Sequence, residues 1–523
     1  MPATLRKASS RLVLMLSAVS LVQLACSAIG ATQPMSTAAP APAQEGNPTT
    51  APSPILTQAV TLPSAETPQM PGVPDRPLSQ AGPWFVFMDY TVAHELWALN
   101  PDGSGATMLW SLVDERASES YTLWPAPSGG RIALLQYSQS LRTAPVLRVL
   151  ELPTGKELAV VNLLPRQVNY DSLEGEARSA ADQVWAAVGA WNRPAWSPDG
   201  RWLAFNAAID GPSADVYVYD TSTDTIDRLT DGPDQSVDLA WSPDSAYIVH
   251  GVADSLYYGY SGLGYGMISA WAAPPDPDKP VLRLYDHAFH GYEYILGWLG
   301  DSRYLGDSLD GDSLGNCGYS GIRTVDIKKG PGPNLLAGNY SLRDFDAGTG
   351  LIVLVLSPSL ADFDCPTSLD PGVYLFDINS REASRVSDVD PEPIMSVTWS
   401  QQAGVFFLGG GDELLTIDPA GNVARYPSIE DLFDTVPIVA PGGDQWVLAN
   451  SFNGTMAVGT RSGELIQIEA DQPGDVFWSL DGAWLFFFGG GLNLSAAPAP
   501  DFDSVFVLQE GLLSAGAPAV VNP

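Results

Sequence analysis

Trp196-Ser197-Pro198-Asp199-Gly200 runs directly into Arg201-Trp202-Leu203-Ala204-Phe205, and this order of residue types returns along the chain. Trp241-Ser242-Pro243-Asp244-Ser245 precedes Tyr247-Ile248-Val249, and Trp298-Leu299-Gly300-Asp301-Ser302 precedes Arg303-Tyr304-Leu305. Trp478-Ser479-Leu480-Asp481-Gly482 precedes Trp484-Leu485-Phe486-Phe487-Phe488, and weaker copies begin at Trp124, near Phe345, at Trp399 and at Ala440. Ser-Pro-Asp-Gly is type I turn chemistry: a polar first residue, a proline that presets φ at the second, and a glycine at the fourth. The turn joins a short strand carrying the Trp to an apolar strand. A third strand alternates with period two, as in Val216-Tyr217-Val218-Tyr219-Asp220 or Val373-Tyr374-Leu375-Phe376-Asp377. A polar turn, Thr221 to Thr225, then leads into a fourth strand such as Ile226 to Thr230. Four antiparallel strands cannot cover both of their own faces. Units stacked radially hide those faces, with the Trp wedged between neighbours.

These residues resemble the WD40-like (PD40) repeats of TolB-type β-propellers, and similar repeats build the N-terminal propellers of dipeptidyl-peptidase-like proteins. The resemblance covers about residues 83 to 510 and is strongest in the units at Trp196, Trp241 and Trp478. It implies a propeller fold and a protein-interaction role at the cell envelope. The first unit begins without a Trp-bearing strand, at Trp84-Phe85-Val86-Phe87-Met88, so with the eight openings there are nine partial units. Pairing the two chain ends within one blade would close them as eight. The expected fold is all-β: a propeller of four-stranded blades over residues 83–515, eight in number, with seven and nine as alternatives. A helical insertion is expected around 172–190, carrying Glu174, Glu176, Ala180, Ala181, Val184 and Trp185.

Composition agrees. Of 523 residues 45% are hydrophobic and 16% charged, enough apolar material to exclude a chain disordered throughout. A net charge of −35 argues against nucleic acid or an anionic lipid surface as partner. At the N-terminus Arg6, Lys7 and Arg11 precede an uncharged, mostly apolar run from Leu12 to Leu24, the pattern of an export signal over 1–25. Leu24-Ala25-Cys26 resembles the cleavage box of bacterial lipoproteins, which implies lipidation of Cys26; processing near Ala28 or Ala31, giving a secreted protein, is the alternative. Residues 26–82 are rich in Pro, Ala and Thr and read as an extended, disordered tether. Of the three cysteines, Cys317 and Cys365 remain if Cys26 carries lipid. They fall in matching long loops of successive repeats, so a disulfide between them is expected, against two unpaired thiols.

Catalytic signatures are thin. Gly259-Tyr260-Ser261-Gly262-Leu263 and Gly318-Tyr319-Ser320-Gly321-Ile322 lack the last glycine of a serine-hydrolase elbow. His94-Glu95 opens like a zinc-protease motif without its second His. His287, His290 and Glu293 form one weak candidate metal cluster, and Asp307, Asp310 and Asp312 an incomplete calcium-loop pattern. With no phosphate loop, Cys-x-x-Cys or dinucleotide fingerprint, no cofactor is expected. Residues 257–275 are aromatic and Gly-rich, and Tyr257, Tyr258, Tyr260, Tyr265 and Trp271 are candidate contacts for a glycan or a protein. The functional expectation is therefore an exported, lipid-anchored, monomeric binding scaffold without catalytic activity, with a protein or glycan partner at the cell envelope. Acidic residues such as Asp388, Asp390, Glu392, Glu430, Asp431 and Asp434 bias it toward neutral or basic partners. The alternative is a polysaccharide lyase or hydrolase with its site at the channel mouth.

Overall fold

The computed structural model describes residues 76–523 except 90–93, 113–118, 139–143, 165–171, 190–191, 260–261, 266–267, 287–292, 301, 311–318, 338–341, 357–368, 393, 395, 411–412, 427–436, 451–454, 462, 470–475, 480–481, 490–492, 501, 503–504 and 510–518. The export signal, Cys26, Cys317, Cys365, Tyr260, His287 and His290 lie outside the described residues.

Nine four-stranded antiparallel sheets follow one another as the blades of a β-propeller. Blade 3, for example, is built from Ala195–Trp196, Trp202–Ala207, Asp215–Asp220 and Thr225–Arg228, each strand pairing with the next. Blade 9 comprises Val476–Trp478, Trp484–Gly489, Asn493–Pro498 and Phe506–Gln509. The ring closes through Ala519–Val521, which pairs antiparallel with Trp84–Asp89 and supplies the first strand that blade 1 lacks. This corrects the count of eight. Chain ends do pair within one blade, but the closing strand is a further segment past residue 515. The last repeat is thus left complete and stands as a ninth blade. Phe85 and Phe87 of blade 1 pack with Phe486 and Phe488 of blade 9 across the closure, and the Phe85 and Phe486 rings stack at 4.6 Å.

The repeat motif has a concrete mechanical role. In three blades the Trp of the first strand donates its indole N–H to the first strand of the preceding blade: Trp196 Nε1 to Trp124 O at 2.9 Å, Trp241 Nε1 to Ala195 O at 2.8 Å, and Trp478 Nε1 to Ile438 O at 2.8 Å. The turn that follows is internally bonded. Gly200 N donates to Ser197 O at 2.8 Å, Ser197 Oγ to Asp199 Oδ1 at 2.6 Å, and Trp202 N to Ser197 Oγ at 2.9 Å. Gly200 and Gly482 hold φ of 71° and 70°, which their lack of Cβ allows. Where the motif is degenerate, other groups take over. Phe345 of blade 6 sits against Gly297 of blade 5, where a Cβ would come within 2.8 Å of its ring. In blade 8 the large ring moves to the second strand: buried Trp446 lies over Gly459 and meets Phe407 and Tyr426 of blade 7 edge-on.

The expected tether is already docked in its last residues. Leu78 is buried, Asn100 Nδ2 donates to Pro77 O at 3.0 Å, and Ser79 N donates to Asn100 Oδ1 at 2.8 Å. One apolar side chain and two backbone groups met by Asn100 suffice to hold this stretch on blade 1.

Candidate functional site

Antiparallel connectivity sorts the loops. Within each blade, turns between strands one and two, and between three and four, leave from one end, hereafter the turn face. Connections between strands two and three, and from one blade to the next, start and end at the opposite end, the loop face. The Ser-Pro-Asp-Gly turns therefore share the turn face. Both insertions noted in the sequence belong to the loop face: the helix Gly175–Val188 between blades 2 and 3, and the hairpin Leu256–Gly259 with Gly262–Tyr265 between the second and third strands of blade 4.

The two insertions meet. Leu256 N donates to Gln183 Oε1 at 3.2 Å, and Leu256 is buried in one cluster with Val184, Trp185 and Val188 of the helix and Phe205 of blade 3. The helix is not a side-lying amphipathic rod. Its burial is concentrated in the closing stretch Val184–Val188, while Glu174, Glu176 and Ala180 are exposed, so it enters the cluster end-first. Asn192 fixes its exit, donating from Nδ2 to Val188 O at 3.1 Å and to Asn206 O at 2.8 Å.

Among the candidate contacts, Tyr257, Tyr258 and Tyr265 occupy the hairpin strands, with Leu256 opposite Tyr265 and Tyr257 opposite Gly264. Trp271 does not join them. It lies in the third strand of blade 4, half-buried, with Nε1 donating to Ser269 Oγ at 2.7 Å and the Arg283 guanidinium 5.6 Å from its ring. Aromatic content grouped these residues in the sequence, but strand pairing separates them. Glu293 begins the first strand of blade 5, opposite Ser308. Asp307 and Asp310 belong to the second strand of that blade and not to a loop. Among the described residues no group of three His, Cys, Asp or Glu side chains gathers as a metal set. His94 Nδ1 is 3.1 Å from Tyr121 Oη, and Glu95 accepts from Trp97 Nε1 at 2.9 Å, a pairing that ties both into blade packing.

A buried polar seam was not anticipated. Ile248 of blade 4 packs with Ala204, Val216 and Val218 of blade 3, and strand alternation puts His250 on the side of Ile248 and Asn206 on the side of Ala204. His250 is 2% exposed and Asn206 0%, and neither ring nitrogen of His250 nor the side-chain amide of Asn206 has a hydrogen-bond partner among the described residues. Burial pushes the His250 imidazole down to about 4, against a weaker upward pull from the Gly251 backbone. The ring is therefore neutral at pH 7. A lone His in a strand gave no signal of this; facing burial from two blades creates it.

Carboxylates on the loop face fall into two states. Asp215, 1% exposed, accepts from Arg228 Nη2 at 2.7 Å, Thr230 Oγ1 at 2.8 Å and Ser213 Oγ at 3.1 Å. Arg228 also reaches Asp231 at 2.7 Å and Asp210 at 3.4 Å, and Asp210 accepts from the Tyr217 hydroxyl, which burial and that bond raise well above its ordinary range. This network ties together the strand ends of blade 3. Between blades 6 and 7 the opposite holds. Asp370, Asp388, Asp390 and Glu392 are exposed and in no ion pair among the described residues, beside a shallow groove of about 500 Å³ lined by Arg385–Asp390. Arg385 donates instead to Pro371 O at 3.1 Å, and Arg425 to Asp388 O.

No family profile and no curated protein matches this chain. Solved structures do resemble it. A crystal structure of a eukaryotic initiation factor aligns over 85% of this chain and 97% of its own at 12% identity, TM-score 0.48. Dipeptidyl peptidase 4 of Porphyromonas gingivalis aligns over 85% of this chain and 64% of its own at 12% identity, TM-score 0.44. An oligogalacturonate lyase in complex with manganese aligns over 73% and 97% at 15% identity, TM-score 0.37. At such identities the likeness concerns the propeller fold alone.

Proposed function

We propose that this protein is an exported, non-catalytic binding scaffold, anchored through lipid on Cys26, that presents its loop face to a protein or glycan at the cell envelope. The observation that carries this reading is the convergence of the two inserted elements. The helix and the hairpin interrupt different blades, yet they share one buried cluster on one face of the ring. Short turns suffice to connect strands, and chain added beyond them at a single face is how propellers and other rigid scaffolds elaborate recognition surfaces. The charge balance of −35 favours neutral or basic partners over nucleic acid. The test is quantitative binding of the purified chain to a glycan array and to immobilised envelope proteins, repeated with the hairpin 256–265 shortened to a two-residue turn. Saturable binding lost with the hairpin is expected. Turnover of any bound polysaccharide would overturn the non-catalytic reading.

A further inference from the structure

The buried seam of blades 3 and 4 is joined directly to the patch formed by the two inserted elements. On the blade 4 side, His250 lies six residues before Leu256, where the hairpin begins. Its neighbour Gly251 has no room for a Cβ, which would come 2.7 Å from Ile268 Cδ1 and 3.1 Å from Val237 Cγ2. Val237, Ala253 and Ile268 belong to the same buried cluster as Leu256 of the hairpin and Val184, Trp185 and Val188 of the helix. On the blade 3 side, Asn192 holds both backbone groups of Asn206, donating from Nδ2 to Asn206 O at 2.8 Å and accepting from Asn206 N at 3.0 Å. The same Nδ2 donates to Val188 O in the last turn of the helix at 3.1 Å. The hairpin thus grows from the strand that carries His250, and the helix is pinned to the residue that carries the second orphaned side chain.

This seam offers a protonated ring neither a hydrogen-bond acceptor nor a counter-charge. Both ring nitrogens of His250 and the side-chain amide of Asn206 lack a hydrogen-bond partner among the described residues. The second strand of blade 3, Trp202–Ala207, and the third strand of blade 4, Ile268–Ala273, contain no acid or base. The first strand of blade 4, Gln235–Trp241, contains Asp238 alone, in the bulge opposite His250 where the register shifts between Val237 and Ala240. The third strand of blade 3 holds Asp215 and Asp220, engaged by Arg228 and Arg201, and Tyr217 and Tyr219, which donate to Asp210 and Asp224. In the fourth strand of blade 4, Arg283 lies over Trp271. No carboxylate among these draws the imidazole upward; burial dominates its titration, opposed by the Gly251 backbone.

We infer that this seam is an acid-operated latch on the loop-face patch: a proton on His250 parts blades 3 and 4 at their loop-face ends and frees the helix and hairpin from each other. The inference rests on the scaffold reading, whose binding surface the latch controls. A buried cation without a counter-charge is costly, and admitting water is the cheapest relief. The turn-face end of the seam is closed by Trp241, which donates to Ala195 O and packs with Ile248 on Ala204, Val216 and Val218. The loop-face end is closed by the Asn192 clamp and the bond from Leu256 N to Gln183 Oε1 at 3.2 Å, so opening there is local and leaves the blades themselves intact. The neutral ring fits the closed seam, so closure is fully favoured above pH 6.5 and weakens as pH falls toward 4. Between pH 7 and pH 5 that linkage raises the open population about twentyfold.

The experiment is hydrogen exchange of the full chain at pH 7 and pH 5, read by mass spectrometry as protection factors, which remove the pH dependence of the intrinsic rate. The quantity compared is the ratio of protection at the two pH values within each chain, so a variant loosened at both still counts. In the parent, protection of the helix Gly175–Val188 and of the strands Leu256–Gly259 and Ile248–Ala253 should fall about twentyfold from pH 7 to pH 5. Leu351–Leu356 and Gly372–Asp377 of blade 6 should fall less than about threefold. His250→Gln, which keeps a neutral polar side chain, and His250→Leu should each abolish the local fall, whereas His94→Gln in blade 1 should retain it. An unchanged ratio in the parent, an equal loss over all blades, or a local fall that survives both His250 substitutions would overturn the inference. The expected exchange pattern in a chain that captures no glycan or envelope protein would uphold the latch and refute the scaffold reading.

Discussion

Replacing Trp241 with Phe tests the mechanical account of the repeat most directly. The side chain is 6% exposed and packs with Ala204, Val216, Val218 and Ile248 across the seam of blades 3 and 4, and its indole N–H donates to Ala195 O at 2.8 Å. Phe retains most of the apolar ring and removes the donor. Leaving the Ala195 carbonyl unmet costs about 1–3 kcal/mol. The missing part of the ring leaves a cavity of a few tens of Å³, which at about 24 cal/mol per Å³ adds up to about 1 kcal/mol. The expected loss is therefore about 2–4 kcal/mol. Trp202→Phe is the control: Trp202 is half-buried beneath the Arg201 guanidinium 4.3 Å from its ring, a contact worth about 0.5–1 kcal/mol at an exposed site. Urea unfolding followed by far-ultraviolet circular dichroism gives the difference. Hydrogen exchange locates it, with faster exchange expected in Trp202–Ala207 and Ile248–Ala253 on either side of the seam. If the two substitutions cost the same, or Trp241→Phe costs less than Trp202→Phe, the indole bond does not hold neighbouring blades together and the reasoning fails.

Three further outcomes follow from the geometry. Gly443 and Gly404 both hold positive φ, 75° and 65°, but a Cβ on Gly443 would lie 2.0 Å from Gln402 O while one on Gly404 meets nothing within 4 Å. Gly404→Ala should cost about 1 kcal/mol of unfolding free energy and Gly443→Ala several times as much, or prevent folding. Ser245 holds φ of 58° at the position that Gly200 and Gly482 fill in sister turns, so Ser245→Gly should raise the unfolding free energy, read from the urea midpoint at constant slope, by about 0.5–1 kcal/mol less the weak bond it gives up from Asp199 N at 3.3 Å. His250 titrates near 4 in the folded chain and near 6.5 unfolded. Its neutral form is the one that folding favours, so its contribution is fully present above pH 6.5 and is lost as pH falls toward 4. At about 1.4 kcal/mol per unit the loss approaches about 3 kcal/mol. Comparing parent and His250→Leu between pH 7 and 4 isolates it, and an unchanged pH slope in the variant would show that the ring is not buried neutral.

Sequence alone determined the architecture, because the signals that specify a blade are local. Ser-Pro-Asp-Gly chemistry acts over four residues and strand alternation over six, and a unit repeated often enough must hide its two faces against copies of itself. The Trp preceding each turn could be read as a wedge between blades for the same reason. Blade number was harder, since it depends on whether Ala519–Val521, three residues without a motif, pairs with Trp84–Asp89. That is a contact between chain ends more than four hundred residues apart, and no local pattern encodes it. The functional face was less legible still. Tyr257 and Trp271 look like one aromatic loop along the chain, yet the pairing of His250 with Trp271 puts the latter inside the sheet. Conversely, the helix around Trp185 and the hairpin beginning at Leu256 are seventy residues apart in order and share one cluster in space. The burial of His250 against blade 3 is likewise decided only by tertiary structure. Burial and electrostatic field depend on which surfaces the ring brings together, and distance through space, not order along the chain, sets both.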